Sequence, residues 1–334
     1  MPISLYEVLW IFTIYSFLGW CTEVAYAAIV TKKFVNRGFL NGPSCPIYGV
    51  GVFSVIICLL PLKNNIFILF IGSVLLTSVI ELITGYILEK VFHNRWWNYS
   101  KNKYNIMGYV CLKFSITWGI ACVFIIEIFH PIIYVFIKYM PYVLGIILIS
   151  IFLIVYAIDL SVTVATILKF NKRLDSIDEV SKKIHVMSDE IGESIFENVV
   201  EAVEIKDKFR DDHKELLEEF NIKKQNAVET MDYVKSAISM MNPKHFAKNG
   251  LETKEKLLQS IDEKKNEYMK LSDEYKLLLE DKVFGFKRLM DAFPDMKSIK
   301  NNEILSKMKF TYFKKPDFSK WKKDKEEPEH DTDD

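Results

Sequence analysis

Glu23, Glu81, Glu127 and Asp159 are acidic side chains set in runs otherwise apolar enough to cross a bilayer. A charge at the centre of such a helix costs roughly 2.5 to 3.5 kcal/mol on insertion scales, so any that lies deep must face the bundle interior and find a partner. Carboxylates held there by Arg, Lys, Tyr or water line ion and proton paths, or lock helices together. Glu23 and Glu81 sit deepest and are the expected pair for such a role. Glu127 stands near the end of its apolar run and Asp159 near an interface, within reach of water.

Helical spacing gathers small and hydroxyl residues beside these acids. Ser16, Gly19, Glu23 and Tyr26 share one face of the first apolar run, and Thr77, Glu81, Thr84 and Gly85 one face of the third, which ends at Glu89. Gly108, Cys111, Ser115, Gly119 and Cys122 align on the fourth, and Tyr156, Asp159, Thr163 and Thr166 on the fifth. Small residues admit close backbone approach and hydroxyls bond across the contact, so packing alone explains most of them. The chemical alternative is a polar intramembrane site drawn from Ser16, Glu23, Glu81, Thr84, Ser115 and Asp159.

Two connecting segments have unusual composition. From Arg37 to Gly51 the chain places Gly38, Gly42, Pro43, Pro46, Tyr48 and Gly49 at the entrance to an apolar run, which predicts constrained turns and close backbone approach. Arg95, Trp96, Trp97, Asn98, Tyr99 and Ser100 form the second. Trp and Tyr favour headgroup depth, so an aromatic belt is one reading of Trp96 and Trp97. In the other, Arg37 and Arg95 pair with Glu23, Glu81, Glu89 or lipid phosphate.

The elements that must position these groups are apolar helices. Five spans are expected, about Leu5 to Val30, Ile47 to Leu62, Ile66 to Leu88, Gly108 to Phe129 and Tyr142 to Leu168. The second is short and follows Pro43 and Pro46, so a tilted or re-entrant segment packed inside protein fits it as well as a full crossing. Pro131 to Met140, bracketed by prolines, reads as a separate outer interfacial helix. Met1 to Glu7 lacks the basic leader of a signal peptide, so the first span reads as retained. Lys32, Lys33, Arg37, Lys90, Arg95, Lys101 and Lys103 crowd alternate connections, while the opposite ones hold only Lys63 and Lys138. Positive residues stay on the cytoplasmic side, which predicts N-terminus out and C-terminus in.

Formal net charge is +0, but 33 of the 43 basic and 37 of the 43 acidic residues lie beyond residue 168. The expected organisation is therefore an all-α polytopic membrane bundle over 1–168, a cytoplasmic helical, coiled-coil-like region over 169–312, and a charged, disordered end over 313–334. Apolar positions at three-four spacing run from Ile177 through Ile195 and from Phe209 to Met241, then from Leu257 to Leu278 after a break at Asn242-Pro243. Two long helices result, with His213, Lys223 and Lys264 interrupting their seams. They serve either as a solvated hairpin or as an arm for self-association or partner docking. Interspersed charges give no electrostatic basis for nucleic-acid binding.

The five cysteines show no CxxC or Cys/His spacing and the six histidines are scattered, so neither a metal site nor a disulfide framework is expected. No GxxxxGK[ST], GxSxG, HExxH or GxGxxG occurs. Nothing here predicts an enzyme or a bound cofactor, and ATP-driven transport would need a separate ATPase subunit.

The runs Tyr15 to Glu23, Arg37 to Gly51, Glu81 to Gly85, Arg95 to Ser100, Val110 to Leu112 and Trp118-Gly119 resemble the bacterial ABC-transporter type IV membrane family, also called CmpB-like. The resemblance covers about residues 5–160 and departs from the family pattern at Asn98, where an aspartate is usual. It implies a permease-like, multi-pass protein of the bacterial plasma membrane whose partners are the bilayer and a separate ATPase or other membrane protein. The rival expectation is a membrane-anchored scaffold whose tail recruits partners.

Overall fold

The computed structural model describes residues 4–190, 227–240, 250–281, 283 and 285–313, which divide into two compact units: 4–172 with 283–313, and 173–281. Helix α1 (Leu5–Thr31) opens on a capping box, in which Ser4 Oγ accepts from the Glu7 amide at 3.3 Å and the Glu7 carboxylate accepts from the Ser4 amide at 2.8 Å. After a loop, α2 (Pro46–Leu59) begins with proline at its first position, where no hydrogen bond is lost, and ends in the 3-10 turn Leu60–Leu62. Asn65 Oδ1 then caps α3 (Ile66–Phe92) by accepting from the Phe67 and Ile68 amides.

Strands β1 (Asn94–Arg95), β2 (Asn105–Ile106) and β3 (Val110–Cys111) precede α4 (Leu112–Phe124), a π turn (Ile125–Phe129) and α5 (His130–Tyr139). Next come α6 (Tyr142–Glu190), α7 (Ala227–Met240), α8 (Gly250–Glu280), α9 (Phe286–Ala292), β4 (Lys297–Ser298) and α10 (Asn302–Phe313). The pairings β1–β4 and β2–β3 are two residues long, and among the described residues they are the one departure from an all-helical fold.

Four helical stretches are long and apolar enough to cross a membrane: Leu5–Thr31, Ile66–Phe92, Leu112–Tyr139 and Tyr142–Glu190. The stretch Pro46–Leu62 is shorter. At 1.5 Å per residue it measures about 25 Å, less than the roughly 30 Å of a hydrocarbon core.

Two boundaries differ from expectation. Pro131 does not start a separate helix, because α5 continues α4 through the π turn. Proline removes an amide donor and crowds the carbonyl four residues back, and a π turn at that point opens the helix enough to carry it through. Gly108 does not start the fourth helix either. It lies in the β2–β3 hairpin at φ +75°, and the helix begins at Leu112.

The short α2 is the hub of the bundle. Val52 and Ile56 pack with Trp10, Ile11 and Tyr15 of α1, Ile137 of α5 and Ile149 of α6. Val55 and Leu59 pack with Leu69, Cys122 and Ile126. Lipid tails are as apolar as these side chains, so close fit rather than expulsion from water holds such helices together. The fit leaves no slack at two glycines: a Cβ on Gly19 would lie 2.3 Å from the Tyr48 ring, and one on Gly49 2.2 Å from Ser16 Oγ.

In the second unit, Lys235 pairs with Asp262 at 2.5 Å and Lys265 with Asp232, a reversed order that sets α7 and α8 antiparallel. Ala227, Met231, Val234 and Ile238 bury the α7 seam. Arg173 on α6 donates to the Leu278 carbonyl at 3.0 Å and meets Asp281 at 3.1 Å. Residues 191–226, with His213 and Lys223, the Asn242-Pro243 break and residues 314–334 lie outside the described residues.

The C-terminal stretch 285–313 does not group with the helical tail. It packs in the first unit, where β4 pairs antiparallel with β1, and Phe286 meets Phe170 edge-on at 5.0 Å.

Candidate functional site

The loop between α1 and α2 reaches the middle of the bundle. Its last residue, Cys45, donates its amide to the Ser16 carbonyl at 3.0 Å, level with the middle of α1. Non-helical backbone at such depth must have every polar group satisfied by protein or water. Asn36 organises the turn: its Oδ1 accepts from Trp20 Nε1 at 2.7 Å and from the Gly38 amide at 3.0 Å, and its Nδ2 donates to the Asn41 carbonyl at 2.7 Å.

Opposite charges then grip the loop from two distant parts of the chain. Asp159 on α6 accepts from the Asn41 amide and side chain, each at 3.0 Å, and from the Gly42 amide at 2.7 Å. Arg288 on α9 donates to the carbonyls of Gly38 at 3.0 Å, Leu40 at 3.1 Å and Phe39 at 3.3 Å. Burial lowers the Arg288 pKa, and the nearby Asp159 charge works against that shift. Amide donors are thus collected by an anion and carbonyl acceptors by a cation, the stronger form of each bond. Asp159 is half-buried and bonded, not solvated as its position near an interface suggested.

Beside this loop lies the first acidic centre. Tyr48 donates its hydroxyl to Glu23 Oε1 at 2.5 Å, and Arg37 Nε stands 3.7 Å from Glu23 Oε2 and 5.8 Å from the Tyr26 ring centre. Gly19 leaves the room that the Tyr48 ring fills, and Trp118 packs on that ring edge-on at 5.5 Å. A carboxylate with one neutral donor and one partly exposed cation keeps capacity for a further ligand.

Glu81 forms the second centre. It is buried, 8% exposed, and its Oε2 has no protein partner. The phenol of Tyr99 approaches it, and burial first, then the Glu81 charge, pushes the Tyr99 pKa up. Ser78 donates to Ser115 at 2.7 Å across the α3–α4 contact below. Thr84 is half-buried with no hydrogen bond joining it to the acid.

The loop from 93 to 111 is tied at its start to β4 and to Asn171, and from Trp97 onward it is held by its own residues and by the end of α3. Trp97 donates to the Tyr109 carbonyl at 2.8 Å, and Gly85 of α3 makes room for both rings. Asn98 Oδ1 accepts from the Ser100 amide at 3.0 Å, an acceptor role that an amide oxygen fills as well as a carboxylate. Arg95 meets Glu89 at 2.6 Å and lies over the Tyr109 ring at 4.7 Å, and the bond to Glu89 raises its pKa. The ion-pair reading of Arg37 and Arg95 is therefore the one the structure realises, with Glu23 and Glu89. Trp96 is not a belt residue: at 3% exposure it sits among Phe39, Phe92 and Phe293, the last at 4.9 Å.

Of the residues proposed for an intramembrane site, Ser16 and Glu23 gather near Tyr48 and the loop ahead of α2, with Asp159 on the other flank of that loop. Glu81 and Ser115 lie on the α3–α4 side. Glu127 is exposed on the π turn, away from a helix end. Gly38 and Gly42 carry backbone groups gripped by Arg288 and Asp159, while Pro43 and Pro46 bracket the turn into α2. Arg288 had no sequence signal of its own, since its partners lie about 250 residues upstream. Among the described residues no cluster of His, Cys, Asp and Glu could hold a metal ion.

Over residues 10–164 the chain matches the model of a family described as "Putative ABC-transporter type IV", which bears out the resemblance of the motifs. The match takes in both loops and Asp159 but not Arg288. Neither the curated proteins nor the solved structures contain a match.

Proposed function

We propose that this chain is the membrane component of a transport system, five-pass with N-terminus out and C-terminus in, and that Glu23, Tyr48 and Arg37 form its polar intramembrane site. The observation that carries this reading is the non-helical backbone ahead of α2, bonded to α1 near its middle and lying beside a carboxylate with coordination to spare. Broken helices at the midplane are the usual setting of solute and ion sites in membrane transporters, because unwound carbonyls and helix starts are available there. The family match favours the same class. Energy from ATP would come from a separate subunit, and the membrane is the plasma membrane of a bacterium. Flux into proteoliposomes across a panel of ions and small polar solutes is the test. Glu23→Gln and Tyr48→Phe should each abolish the wild-type flux in a folded protein, and unchanged flux in both would refute the site.

A scaffold reading has one observation in its favour, the antiparallel α7–α8 pair with its crossed Lys–Asp bridges. Replacing residues 1–168 by an unrelated anchor separates the two, since a scaffold keeps its phenotype and a transporter loses it.

A further inference from the structure

A cleft of about 400 Å³ opens between the turn at 101–104 and the first turns of α4, lined chiefly by Lys101, Lys103, Tyr104, Leu112, Lys113 and Ile116. Three lysines and no acid line it. Among the described residues none of the three lysines is in an ion pair, and Lys113 leans over the Phe114 ring at 6.0 Å. Such a cluster of like charges is unfavourable unless an anion joins it.

The other half of the cleft is apolar and continues along the helix. Leu112, Ile116, Ile120, Phe124 and Ile128 follow each other at intervals of four residues, the spacing of a helix-surface ridge, and each is at least 40% exposed. Tyr104 in the turn, and Ile106 and Met107 in the β2–β3 hairpin that follows it, are each more than half exposed. Apolar and aromatic tips beside lysines are the profile of a segment seated in the headgroup layer.

We propose that this cleft binds the headgroup of an anionic phospholipid, with its phosphate among Lys101, Lys103 and Lys113 and one acyl chain along the Leu112–Ile128 ridge. A free anion would satisfy the lysines alone, without using the apolar ridge that runs on from the same cleft. A phospholipid engages both halves, and its charge supplies what the lining lacks. Basic side chains at a membrane surface draw acidic lipids in this way. The inference stands apart from the transport reading, because neither Glu23 nor the loop ahead of α2 enters it.

The test uses the full-length protein in detergent, titrated with fluorescent phosphatidylglycerol. K101Q/K103Q/K113Q should weaken binding at least about tenfold, whereas K32Q/K33Q, which removes the same kind of charge elsewhere, should change it by less than about twofold. Phosphatidylcholine should bind wild type and triple variant equally weakly, and millimolar inorganic phosphate should not displace the labelled lipid. Should the triple variant fail to fold, K103Q and K113Q taken singly should each weaken binding about threefold. Phosphatidylglycerol binding that survives these changes would overturn the proposal, as would equal binding of phosphatidylcholine to wild type or displacement by phosphate, which marks a site for free anions.

Discussion

Residues 32–45 and 93–111 are loops at the same end of the bundle, touching where Phe39 packs on Trp96, yet their polar groups are satisfied from different distances. Beyond its first residues, which pair with β4 and bond to Asn171, the second closes on itself: Trp97 bonds to Tyr109, Asn98 to Ser100, Asn105 to Gly108, and Arg95 to Glu89 one turn before the end of α3. The first has one internal organiser, Asn36, anchors on α1 through Cys45 and Arg37, and at its turn depends on Asp159 and Arg288, 118 and 250 residues away. A loop held by neighbours takes its shape from local sequence. One held by remote charges takes its shape from the completed fold, and it fails when either charge is lost.

Removing a remote charge should have the largest effect. Arg288→Ala strips three carbonyls of a charged donor and should cost about 3 kcal/mol, and Asp159→Ala should cost a similar amount, read as thermal unfolding in detergent. Steric intrusion comes next. Gly19→Val must push the Tyr48 ring aside and should cost about 2 kcal/mol, an effect that Tyr48→Ala in the same chain should largely relieve. Tyr48→Phe removes one donor from Glu23 and should cost about 1 kcal/mol in the same assay. In the self-contained loop, Asn98→Asp keeps the acceptor oxygen and should stay within about 0.5 kcal/mol of wild type. If Asn98→Asp proves as damaging as Arg288→Ala, the contrast between the loops is wrong.

The same contrast governs what was legible in the sequence. Length and hydropathy gave the apolar helices, and proline and glycine spacing flagged the short second one, because these signals act over a few residues. The pairing of Arg95 with a carboxylate was within reach for the same reason, since Glu89 lies six positions away. Asp159 was readable as an acid in an apolar run, but two of its donors are the backbone amides of Asn41 and Gly42, which leave no mark on composition. Arg288 was not readable at all. It follows a helical tail, sits outside the family match at 10–164, and looks like any surface arginine until the chain returns to the bundle. Gly285, at φ +87° against Thr166, was the available hint that the tail ends there and turns.

Cys45 reports on the first loop directly, since it is buried and donates to Ser16 at the deepest point of that loop. In a full-length protein whose other four cysteines are replaced by serine or alanine, its rate of labelling by a water-soluble maleimide measures whether the loop is held. Arg288→Gln should raise that rate at least about tenfold while Asn98→Asp leaves it unchanged. A folded Arg288→Gln protein with Cys45 as protected as in wild type would contradict the two-sided clamp.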